Sequence, residues 1–363
     1  MKQSDDKMEI DPICGMEVSR EKALKLKHNG KTYYFCSEGC RDIFIKQKKC
    51  SLRESYDFII VGGGPAGLTA AVFAANLKIN ALLITKDMGG QAADSTKIQN
   101  YMGYNVITGP ELIEKFKYQL IHSNFIDHSM SEVEKIEPVD EGFRIIAPDC
   151  NNHIGKALLI ATGMTKRKLN IDGEEKFKDN GIYYGNIKDL SFLKGKEVAV
   201  IGGGNSALQK VETLQKTAKR IYLISDFDLI ADSRIIAHID KLKHLEKFIG
   251  YKPIKFSGNG SLNELTIRKM AEDKEINLFV DAVFVEIGFR PNSFLVSSLV
   301  KLNKKGEIII NPDCSTSFPG IFAAGDVTDV FGKRIIIASG EGAKAAIAAR
   351  KYIRKESNKL TRP

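Results

Sequence analysis

The sequence predicts an α/β protein with two nucleotide-binding domains, because one strand–turn–helix pattern occurs twice. In the first copy, the apolar run at 58–61 leads into a G-x-G-x-x-G turn, which a helix pattern of small residues follows. In the second copy, the apolar run at 198–201 leads into Gly202-Gly203-Gly204-Asn205-Ser206-Ala207. Two such units predict two bound nucleotides, each held by a Rossmann-like domain of the three-layer ββα type.

Each glycine of the first turn has its own physical task. Gly62 permits the tight turn, Gly64 lets the backbone approach a pyrophosphate, and Gly67 lets the helix pack on the strand. The N–H groups at the helix N-terminus, where Pro65 and Ala66 stand, then face the phosphates. The segment therefore predicts a dinucleotide site.

Length and composition are those of a globular chain with two or three domains. The 363 residues are 43% hydrophobic and 27% charged. The net charge is +9, and the basic residues are scattered, being densest at 46–49 and in the tail from Arg350 to Arg362. No basic–aromatic recognition motif accompanies them, so we interpret the charge as a solvated surface or as attraction for anionic cofactors or an acidic partner, and we expect no nucleic acid.

The N-terminus and the use of cysteine favour a cytoplasmic protein. Residues 1–7 are polar and carry no apolar signal region. The uncharged run at 58–77 contains glycines and Pro65 where a nucleotide loop needs them, so we expect no membrane span and no membrane partner. Six cysteines in a chain of this length indicate metal or redox roles rather than a secreted disulfide framework.

Residues 11–45 have the pattern of a small α+β cysteine module. Asn29-Gly30 predicts a type I′ turn between two extended runs, which brings Cys36 back towards Cys14. Cys40 lies one helical turn beyond Cys36, so three thiolates can converge on one point.

The three thiolates favour a soft or borderline ion, with Cu(I) or Zn(II) as the leading candidates. The competing interpretation is three small buried hydrophobic side chains. His28 and Cys50 are candidates for a fourth ligand, although His28 also fits a histidine on a surface turn. Ser37 is suited to cap the helix that carries Cys40.

This module resembles the YHS/TRASH family of small metal-binding modules. The matching segments are Asp11-Pro12-Ile13-Cys14-Gly15-Met16 and Tyr33-Tyr34-Phe35-Cys36-Ser37-Glu38-Gly39-Cys40, with the spacing C-x21-C-x3-C. The family is associated with heavy-metal handling, so the resemblance implies Cys14, Cys36 and Cys40 as metal ligands. The polar segment 46–54 is interpreted as a short linker.

The first nucleotide domain continues with a second strand at 81–85. Thr85 stands where many such strands end with an acid for the ribose hydroxyls. A helix is predicted from Gly109 to about Ile121, and the alternation over 129–160 predicts a small antiparallel sheet.

The segment from 56 to about 350 resembles the thioredoxin reductase family of flavoproteins. The motifs that carry the resemblance occur in the family's order: the first fingerprint, Gly89-Gly90-Gln91, Asn100, Ala161-Thr162-Gly163, the second fingerprint, and Gly320-Ile321-Phe322-Ala323-Ala324-Gly325-Asp326. The segment 333–342 most resembles the alkyl hydroperoxide reductase flavoproteins of this group.

The resemblance implies FAD in the first domain and NADH or NADPH in the second. It predicts a module and linker over 1–50, an FAD domain over 55–166 and 284–363, and a nicotinamide domain over 167–283. Asp326 would bond the FAD ribityl chain, and Lys333-Arg334-Ile335 would lie near the isoalloxazine. The remaining predicted FAD contacts are Gly62, Gly64, Pro65, Ala66, Gly67, Thr85, Gly90, Gln91, Asn100, Thr162, Gly163 and Gly325.

The predicted nicotinamide contacts are Gly202, Gly204, Asn205, Ser206, Ala207, Asp226 and Gly288. Relatives that use NADPH place a basic cluster after the second strand, whereas Ser225-Asp226-Phe227-Asp228 stands here. A carboxylate accepts hydrogen bonds from ribose hydroxyls and repels a phosphate, so Asp226 favours NADH. The alternative is that Asp226 is an ordinary loop acid.

The redox-active C-x-x-C of thioredoxin reductases has no counterpart here. Gly185 and Lys188 stand where the two cysteines would be, and disulfide exchange requires a thiolate. Cys150 and Cys314 are isolated and are interpreted as buried or incidental. Further along, a helix of mixed charge is predicted from Arg234 to Phe248, the segment 257–261 breaks a strand-rich stretch, and a helix over 340–349 closes the FAD domain and in the family contributes to a homodimer.

These observations predict an FAD-dependent NAD(P)H oxidoreductase that passes electrons to an unidentified acceptor. In one version the appended Cys36 and Cys40, or their metal, accept the electrons. In the other the acceptor is external: an iron–sulfur protein, a quinone, oxygen or a metal ion. Hydride transfer needs no protein acid or base, so no catalytic residue is named.

Two other functions compete with this one. The first is a metal-binding regulatory or delivery protein that keeps a flavin scaffold, which the intact second fingerprint argues against. The second is a thioredoxin-disulfide reductase, which the absent C-x-x-C disfavours.

Overall fold

The structure, a computed structural model, divides the chain into two compact units, Met1–Met164 with Pro291–Pro363, and Thr165–Arg290. The first division falls close to the predicted boundary at 166, and the second lies beyond the predicted boundary at 283. The structure describes residues 7–13, 16–28, 30–49, 52–123, 125–148, 152–185, 187 and 189–360.

The described part of the N-terminal module, which belongs to the first unit, consists of two antiparallel strand pairs and one helix. β1 pairs with β2, and β3 with β4. Gly30 has φ of +77°, as the predicted turn requires, while Asn29 lies outside the described residues. The elements are β1 (Met8–Ile10), β2 (Glu17–Ser19), β3 (Leu24–His28), β4 (Lys31–Phe35) and α1 (Glu38–Lys49). The segment 46–54, predicted as a linker, is therefore helical as far as Lys49.

The rest of the first unit is built on a mixed sheet whose described strands number seven. Its elements up to the first division are β5 (Ser55–Gly63), α2 (Pro65–Asn76), β6 (Ala81–Met88), α3 (Gly109–Ile121), β7 (Ile126–Met130), β8 (Lys135–Val139), β9 (Gly142–Ile146) and β10 (His153–Ile160). The order is β7-β6-β5-β10-β9-β8, parallel from β7 to β10 and antiparallel beyond. The predicted antiparallel strands are confirmed, but they extend the mixed sheet and do not form a small sheet of their own. The predicted bounds of α3 are confirmed.

Strand β5 is buried on both faces, which explains its unbroken apolar run. Phe58 and Ile60 pack on the side that carries α2, and Ile59 and Val61 pack with residues of β8 and β9 on the other side. Side chains that alternate between two apolar layers fix the register of the strand.

The second unit has the same three-layer construction. Among its described residues, a five-stranded parallel sheet of order β12-β19-β13-β14-β15 packs against a three-stranded antiparallel sheet on one face and helices α5 and α6 on the other. The elements from the first division to the second are β11 (Met164–Lys166), α4 (Glu174–Phe177), β12 (Ile182–Tyr184), β13 (Glu197–Ile201), α5 (Asn205–Leu214), β14 (Arg220–Ser225), α6 (Ser233–Ile239), β15 (Leu245–Ile249), β16 (Tyr251–Ser257), β17 (Glu264–Lys269), β18 (Glu275–Phe279), β19 (Ala282–Val285) and β20 (Phe289–Pro291).

One predicted helix of this unit is wrong in its second half. The sequence predicts a single helix over 234–248, but α6 ends at Ile239 and Leu245–Ile249 forms strand β15. β15 completes the edge of the parallel sheet by pairing with β14, so sheet formation overrides the helical propensity of its charged residues.

The chain then returns to the first unit through β21 (Ile321–Ala323), which lies parallel to β10, and α7 (Ile335–Leu360). The helix predicted over 340–349 is thus the middle of a longer one. α7 packs so closely on α2 that a Cβ at Gly342 would lie 2.0 Å from the Ala66 carbonyl oxygen. Among the described residues, no helix combines the length and apolar character needed to span a bilayer.

Candidate functional site

The turn between β5 and α2 is shaped for close approach of a ligand to the backbone. Gly62 has φ of +111°, and a Cβ there would lie 2.4 Å from the Ala161 carbonyl oxygen. A Cβ at Gly67 would lie 1.8 Å from the Gly62 carbonyl oxygen. At Gly64, by contrast, no atom lies within 4 Å of the Cβ position. The backbone is therefore packed tightly behind the turn and open in front of it.

The Gly89-Gly90-Gln91 loop borders this open space. A Cβ at Gly90 would lie 3.4 Å from the Gly64 Cα. The Gly90 N–H donates to Asp87 Oδ1 at 3.0 Å, and the Gln91 Nε2 donates to the Met164 carbonyl at 2.8 Å. Thr85, a predicted contact, is buried, and its hydroxyl donates to the Asp87 carbonyl at 2.5 Å.

A second edge of the opening comes from the loop after β10. The Thr162 hydroxyl donates to the Asn292 carbonyl at 2.7 Å, and Asn292 Nδ2 returns a bond to the Thr162 carbonyl at 2.8 Å. Gly163 has φ of +64° and no atom within 4 Å of its Cβ position. Asn100, a predicted contact, is exposed in the segment before α3.

Asp326 has the environment expected of a carboxylate that accepts hydrogen bonds from a polyol. Its carboxylate is half-buried, and no described donor forms a hydrogen bond to it. Burial raises the pKa of Asp326, while the charges of Lys333 and Arg334 oppose that shift. A carboxylate of this kind suits the hydroxyl groups of a sugar or ribityl chain.

Glu341, on α7, bonds the residue that precedes Asp326 and was missed by the sequence analysis. Its buried carboxylate accepts the Gly325 N–H at 2.8 Å, and burial raises its pKa. In the sequence, this role is indicated only by the position of Glu341 as an acidic residue within a run of small residues. Lys333 is likewise engaged, because its Nζ lies 3.2 Å from Glu307 Oε1 and donates to the carbonyls of Asp326 and Thr328.

The turn between β13 and α5 repeats the construction in the second unit. Gly202 has φ of +137°, and a Cβ there would lie 2.3 Å from the Glu286 carbonyl oxygen, whereas Gly204 faces open space. Asn205 Oδ1 accepts the Asp232 N–H at 2.8 Å. Of the other predicted contacts, Ala207 is buried, Ser206 and Asp226 are exposed, and Gly288, with φ of +85°, is open.

The turn after β12 is held by two lysines that the sequence analysis did not single out. Lys166 Nζ donates to the Tyr184 carbonyl at 2.7 Å, and Lys210 Nζ donates to the Gly185 carbonyl at 2.8 Å. Lys210 is buried, lies 3.8 Å from Glu286 Oε1, and has its pKa lowered by burial. Gly185 has φ of +79°, and a Cβ there would lie 2.2 Å from Lys166 Nζ. Lys188 lies outside the described residues.

In the module, two of the predicted metal ligands, Cys36 and Cys40, lie close together, and the carboxylate of Asp11 lies beside them. The Sγ atoms of Cys36 and Cys40 are 3.6 Å apart, and the Cys40 N–H donates to the capping Ser37 hydroxyl at 3.3 Å. Their ligand atoms and an oxygen of the buried Asp11 lie within 4.8 Å of one another. Cys14 lies outside the described residues, so its ligation stays a prediction.

The candidates for a fourth metal ligand are not supported equally. His28 is absent from this cluster of described residues and packs edge-on against Phe44 instead. Cys50, like Cys150, falls outside the described residues.

Cys314 is fully buried, as interpreted from the sequence, and its thiol donates to the Glu341 carbonyl at 3.5 Å.

Two glycine turns, each at the N-terminus of a helix without a side-chain cap, form the arrangement expected of a protein with two dinucleotide sites. The family model described as pyridine nucleotide-disulphide oxidoreductase matches residues 56–350, and that of the YHS domain matches residues 9–49. The chain therefore belongs to the pyridine nucleotide-disulphide oxidoreductase family and carries an N-terminal YHS domain. The family implies FAD and a nicotinamide nucleotide. The open first turn fits FAD. Asp326 also fits FAD, because no described donor forms a hydrogen bond to its carboxylate.

Curated relatives agree with this assignment. The chain is 33% identical over 306 residues to alkyl hydroperoxide reductase F of Pseudomonas putida, a match that covers 83% of this chain and 59% of that protein. It is 33% identical over 300 residues to a 34.2 kDa protein in the rubredoxin operon of Clostridium pasteurianum, covering 82% of this chain and 97% of that one. The chain thus spans less than two thirds of the first relative and nearly all of the second.

Solved structures give the same fold. Thioredoxin reductase of Lactococcus lactis, in its FR conformation, matches with a TM-score of 0.69 and 31% identity over 83% of this chain and 99% of that one. Thioredoxin reductase of T. acidophilum matches with a TM-score of 0.66 and 29% identity, covering 84% and 99%. The predicted thioredoxin reductase-like fold and the YHS domain are confirmed.

Proposed function

We propose that this chain is an FAD-dependent NADH oxidoreductase that delivers electrons to an external acceptor without an internal disulfide. When bound, FAD would accept hydride from the nicotinamide and pass the electrons onward. The protein's residues supply placement. The open glycine turns receive the two pyrophosphates, Glu341 orders the loop at the first site, and the Asp326 carboxylate accepts from ribityl hydroxyl groups.

The observation that carries this proposal is the turn at Gly185. Its backbone is left-handed, which disfavours any residue with a side chain, and the Lys166 Nζ lies 2.2 Å from the position that a Cβ would take. No two of the six cysteines stand three positions apart in the sequence. Both facts support an enzyme whose electrons leave the flavin without passing through a disulfide.

The position of the module supports an acceptor outside the chain. Gly109, at the start of α3, lies against the loop that follows Gly90, since a Cβ there would be 2.0 Å from the Ala92 carbonyl oxygen. Ile121, at the end of α3, contacts Gly39 beside Cys40. A helix of 13 residues is about 20 Å long, so the thiols stand a helix length from the predicted flavin loop.

The acceptor that fits best is a small redox protein. A relative matched over nearly its whole length is described as encoded in a rubredoxin operon, which favours an iron–sulfur protein over a disulfide substrate. The alkyl hydroperoxide reductase relative carries less weight here, because this chain covers 59% of it.

An anaerobic titration with NADH and, separately, NADPH tests the proposal. Bleaching of the oxidised flavin by one equivalent of NADH, followed by reoxidation with rubredoxin and not with oxidised thioredoxin, is the expected result. Consumption of a second equivalent, or loss of turnover in Cys36→Ser with flavin reduction intact, would assign the module as acceptor instead. No bleaching by either nucleotide would contradict the oxidoreductase function.

Asp226 gives the nucleotide preference its own test. Asp226→Arg should shift the ratio of the NADH and NADPH KM values by about 10-fold towards NADPH, or roughly 1.4 kcal/mol, because a cation replaces an anion beside the 2′ position. Glu246→Arg makes the same charge change at an exposed position of β15 and should leave the ratio unaltered. Equal shifts in both variants would show that overall charge, and not Asp226, sets the preference.

We also propose that the YHS domain binds a metal ion independently of the flavin. The observation behind this second function is the cluster of Asp11, Cys36 and Cys40. Uptake of one tightly held ion per chain by the metal-free protein, measured by competition with a chromophoric chelator, is the test. Absence of uptake would leave the oxidoreductase proposal standing.

A further inference from the structure

We infer that Asp11 is a direct ligand in the YHS domain and that it selects Zn(II) over Cu(I). The inference rests on the proposed metal binding of that domain and adds a ligand beyond the three predicted cysteines. It concerns the identity of the ion and the role of the centre.

The spacing of the two described thiols matches a metal centre rather than a disulfide. The Sγ atoms of Cys36 and Cys40 are 3.6 Å apart. Two thiolates on a tetrahedral Zn(II) with bonds of about 2.3 Å stand about 3.8 Å from each other. A disulfide would require about 2.05 Å.

Asp11 is held in place by the backbone of the same site. Its two carboxylate oxygens accept the N–H groups of Ile13 and Cys36, each at 2.8 Å, and the residue is fully buried. These bonds tie the carboxylate to the segments on both sides of the cluster. A carboxyl oxygen is thereby fixed within 4.8 Å of both sulfur atoms.

Asp11 and Cys40 are buried and Cys36 is half-buried, so placing their anionic forms together is costly unless a cation compensates the charge. A divalent ion does this more fully than a monovalent one. Carboxylate oxygen is a poor ligand for soft Cu(I), whereas Zn(II) accepts sulfur and oxygen together. The mixed donor set therefore favours Zn(II).

The same donor set predicts a structural rather than an electron-transferring centre. Donor sets rich in thiolate, such as Cys36 and Cys40, are typical of closed structural Zn(II) sites. Zn(II) has no accessible second oxidation state, and thiolates bound to it are held as ligands. The centre then stabilises the module and does not accept electrons from the flavin.

Zinc K-edge X-ray absorption on the full-length protein, loaded with one equivalent of Zn(II), tests the inference directly. The expected shell contains sulfur at about 2.3 Å and one oxygen at about 2.0–2.2 Å. A shell of sulfur alone would overturn the assignment of Asp11 while leaving metal binding intact. Failure of the wild-type chain to take up Zn(II) would instead contradict the proposed metal-binding function itself.

A pair of variants separates a ligand from a residue that merely positions ligands. Loss of a residue that only hydrogen-bonds the ligands typically weakens metal binding about 10- to 100-fold. Asp11→Ala should weaken Zn(II) binding by more than this. Its Cu(I) affinity, measured with a Cu(I)-specific chelator, should change much less. Asp42→Ala, at an exposed position of α1, is the matched control and should bind both ions as the wild type does.

Equal weakening of Zn(II) and Cu(I) in Asp11→Ala would reduce Asp11 to a structural role and overturn the inference. If Asp11→Ala fails to fold, Asp11→Asn keeps a carbonyl acceptor for one of the two N–H groups. The absorption spectrum of the wild-type centre decides the ligand set without any variant.

Discussion

Gly64 and Gly67 lie in the same turn, but glycine is required at the two positions for different reasons. A Cβ at Gly67 would lie 1.8 Å from a backbone oxygen, whereas Gly64 has ordinary extended geometry and open space before it. Gly67 is needed by the fold, and Gly64 by the ligand. Sequence spacing predicted both roles, but only the structure shows which neighbouring atoms a side chain at each position would meet.

The two alanine variants should therefore fail differently. Gly67→Ala should lower the free energy of unfolding of the apoprotein by about 1–3 kcal/mol, because the turn must open to admit the methyl group. Gly64→Ala should leave apoprotein stability unchanged and reduce FAD content, because the methyl group would meet the pyrophosphate. Denaturant unfolding of the apoproteins and flavin absorbance measure the two effects. Equal losses of stability would contradict the division of roles.

Cys314 makes the stability of the first unit depend on alkaline pH. Burial raises the pKa of its thiol from 9.0 to about 12, with the charge of Glu341 adding to the shift. Above pH 9 the unfolded chain releases this proton while the folded chain keeps it. The stability that the neutral thiol provides is thus complete below pH 9 and is lost as pH rises towards 12.

The difference between wild type and Cys314→Ala should display this slope. Between pH 9 and 11 the wild-type free energy of unfolding should fall by about 1.4 kcal/mol per pH unit more than that of the variant. Denaturant unfolding at several pH values measures both. Parallel curves would show that the thiol ionises equally in the two states.

Among the secondary-structure elements, helix α3 joins the loop after Gly90, the predicted flavin loop, to the module. Its start is fixed by a capping box between Thr108 and Glu111. Towards its end, the buried Lys117 contacts the Met16 sulfur at 3.9 Å and pairs with Glu114 at 2.9 Å. Ile121 packs into the apolar core of the module. The module is thus docked on a helix of the nucleotide domain rather than tethered by a free linker.

Ile121→Ala should loosen that docking. Because the side chain is half-buried, the loss should be about 1–2 kcal/mol, below the 2–5 kcal/mol of a fully buried position. Limited proteolysis should then cleave between the module and β5 faster than in the wild type. Tyr118→Ala, which removes a side chain 64% exposed on the same helix, is the control. Unchanged cleavage in Ile121→Ala would show that this contact does not hold the module.

The end of β12 is a second element whose role the structure redefines. Lysines from β11 and α5 bond successive carbonyls of the Tyr184–Gly185 turn, and the Tyr184 hydroxyl donates to the buried Glu174. The corresponding segment of the thioredoxin reductases that this sequence resembles carries the redox cysteines, whereas here it is anchored by charged side chains. This favours a fixed turn over a reactive one.

For the protein as a whole, the metal centre and the flavin should act independently. Removing the metal with a chelator should leave flavin reduction by one equivalent of NADH unchanged, because the module lies a helix length from the flavin loop. It should at the same time lower the thermal stability of the module. A second equivalent of NADH consumed by the metal-loaded protein alone would place the centre on the electron path.

Local patterns in the sequence predicted most of the architecture. Both glycine turns, the hairpin at Gly30, the helix Gly109–Ile121 and the antiparallel strands of the first unit depend on residues near one another in the chain. Strand β15 was missed because its sequence is compatible with a helix, and only pairing with β14 makes it a strand.

The family, the two dinucleotide turns and the cysteine module could all be read from the amino-acid order, because each is encoded in a short run with fixed spacing. Folding was needed to bring Asp11 to Cys36, Lys166 to Gly185 and Glu341 to Gly325. Each of these contacts joins residues from different elements, whose approach is set by packing and burial and not by local spacing. The proposed ligand set of the metal and the lysine-anchored turn at Gly185 follow from those contacts.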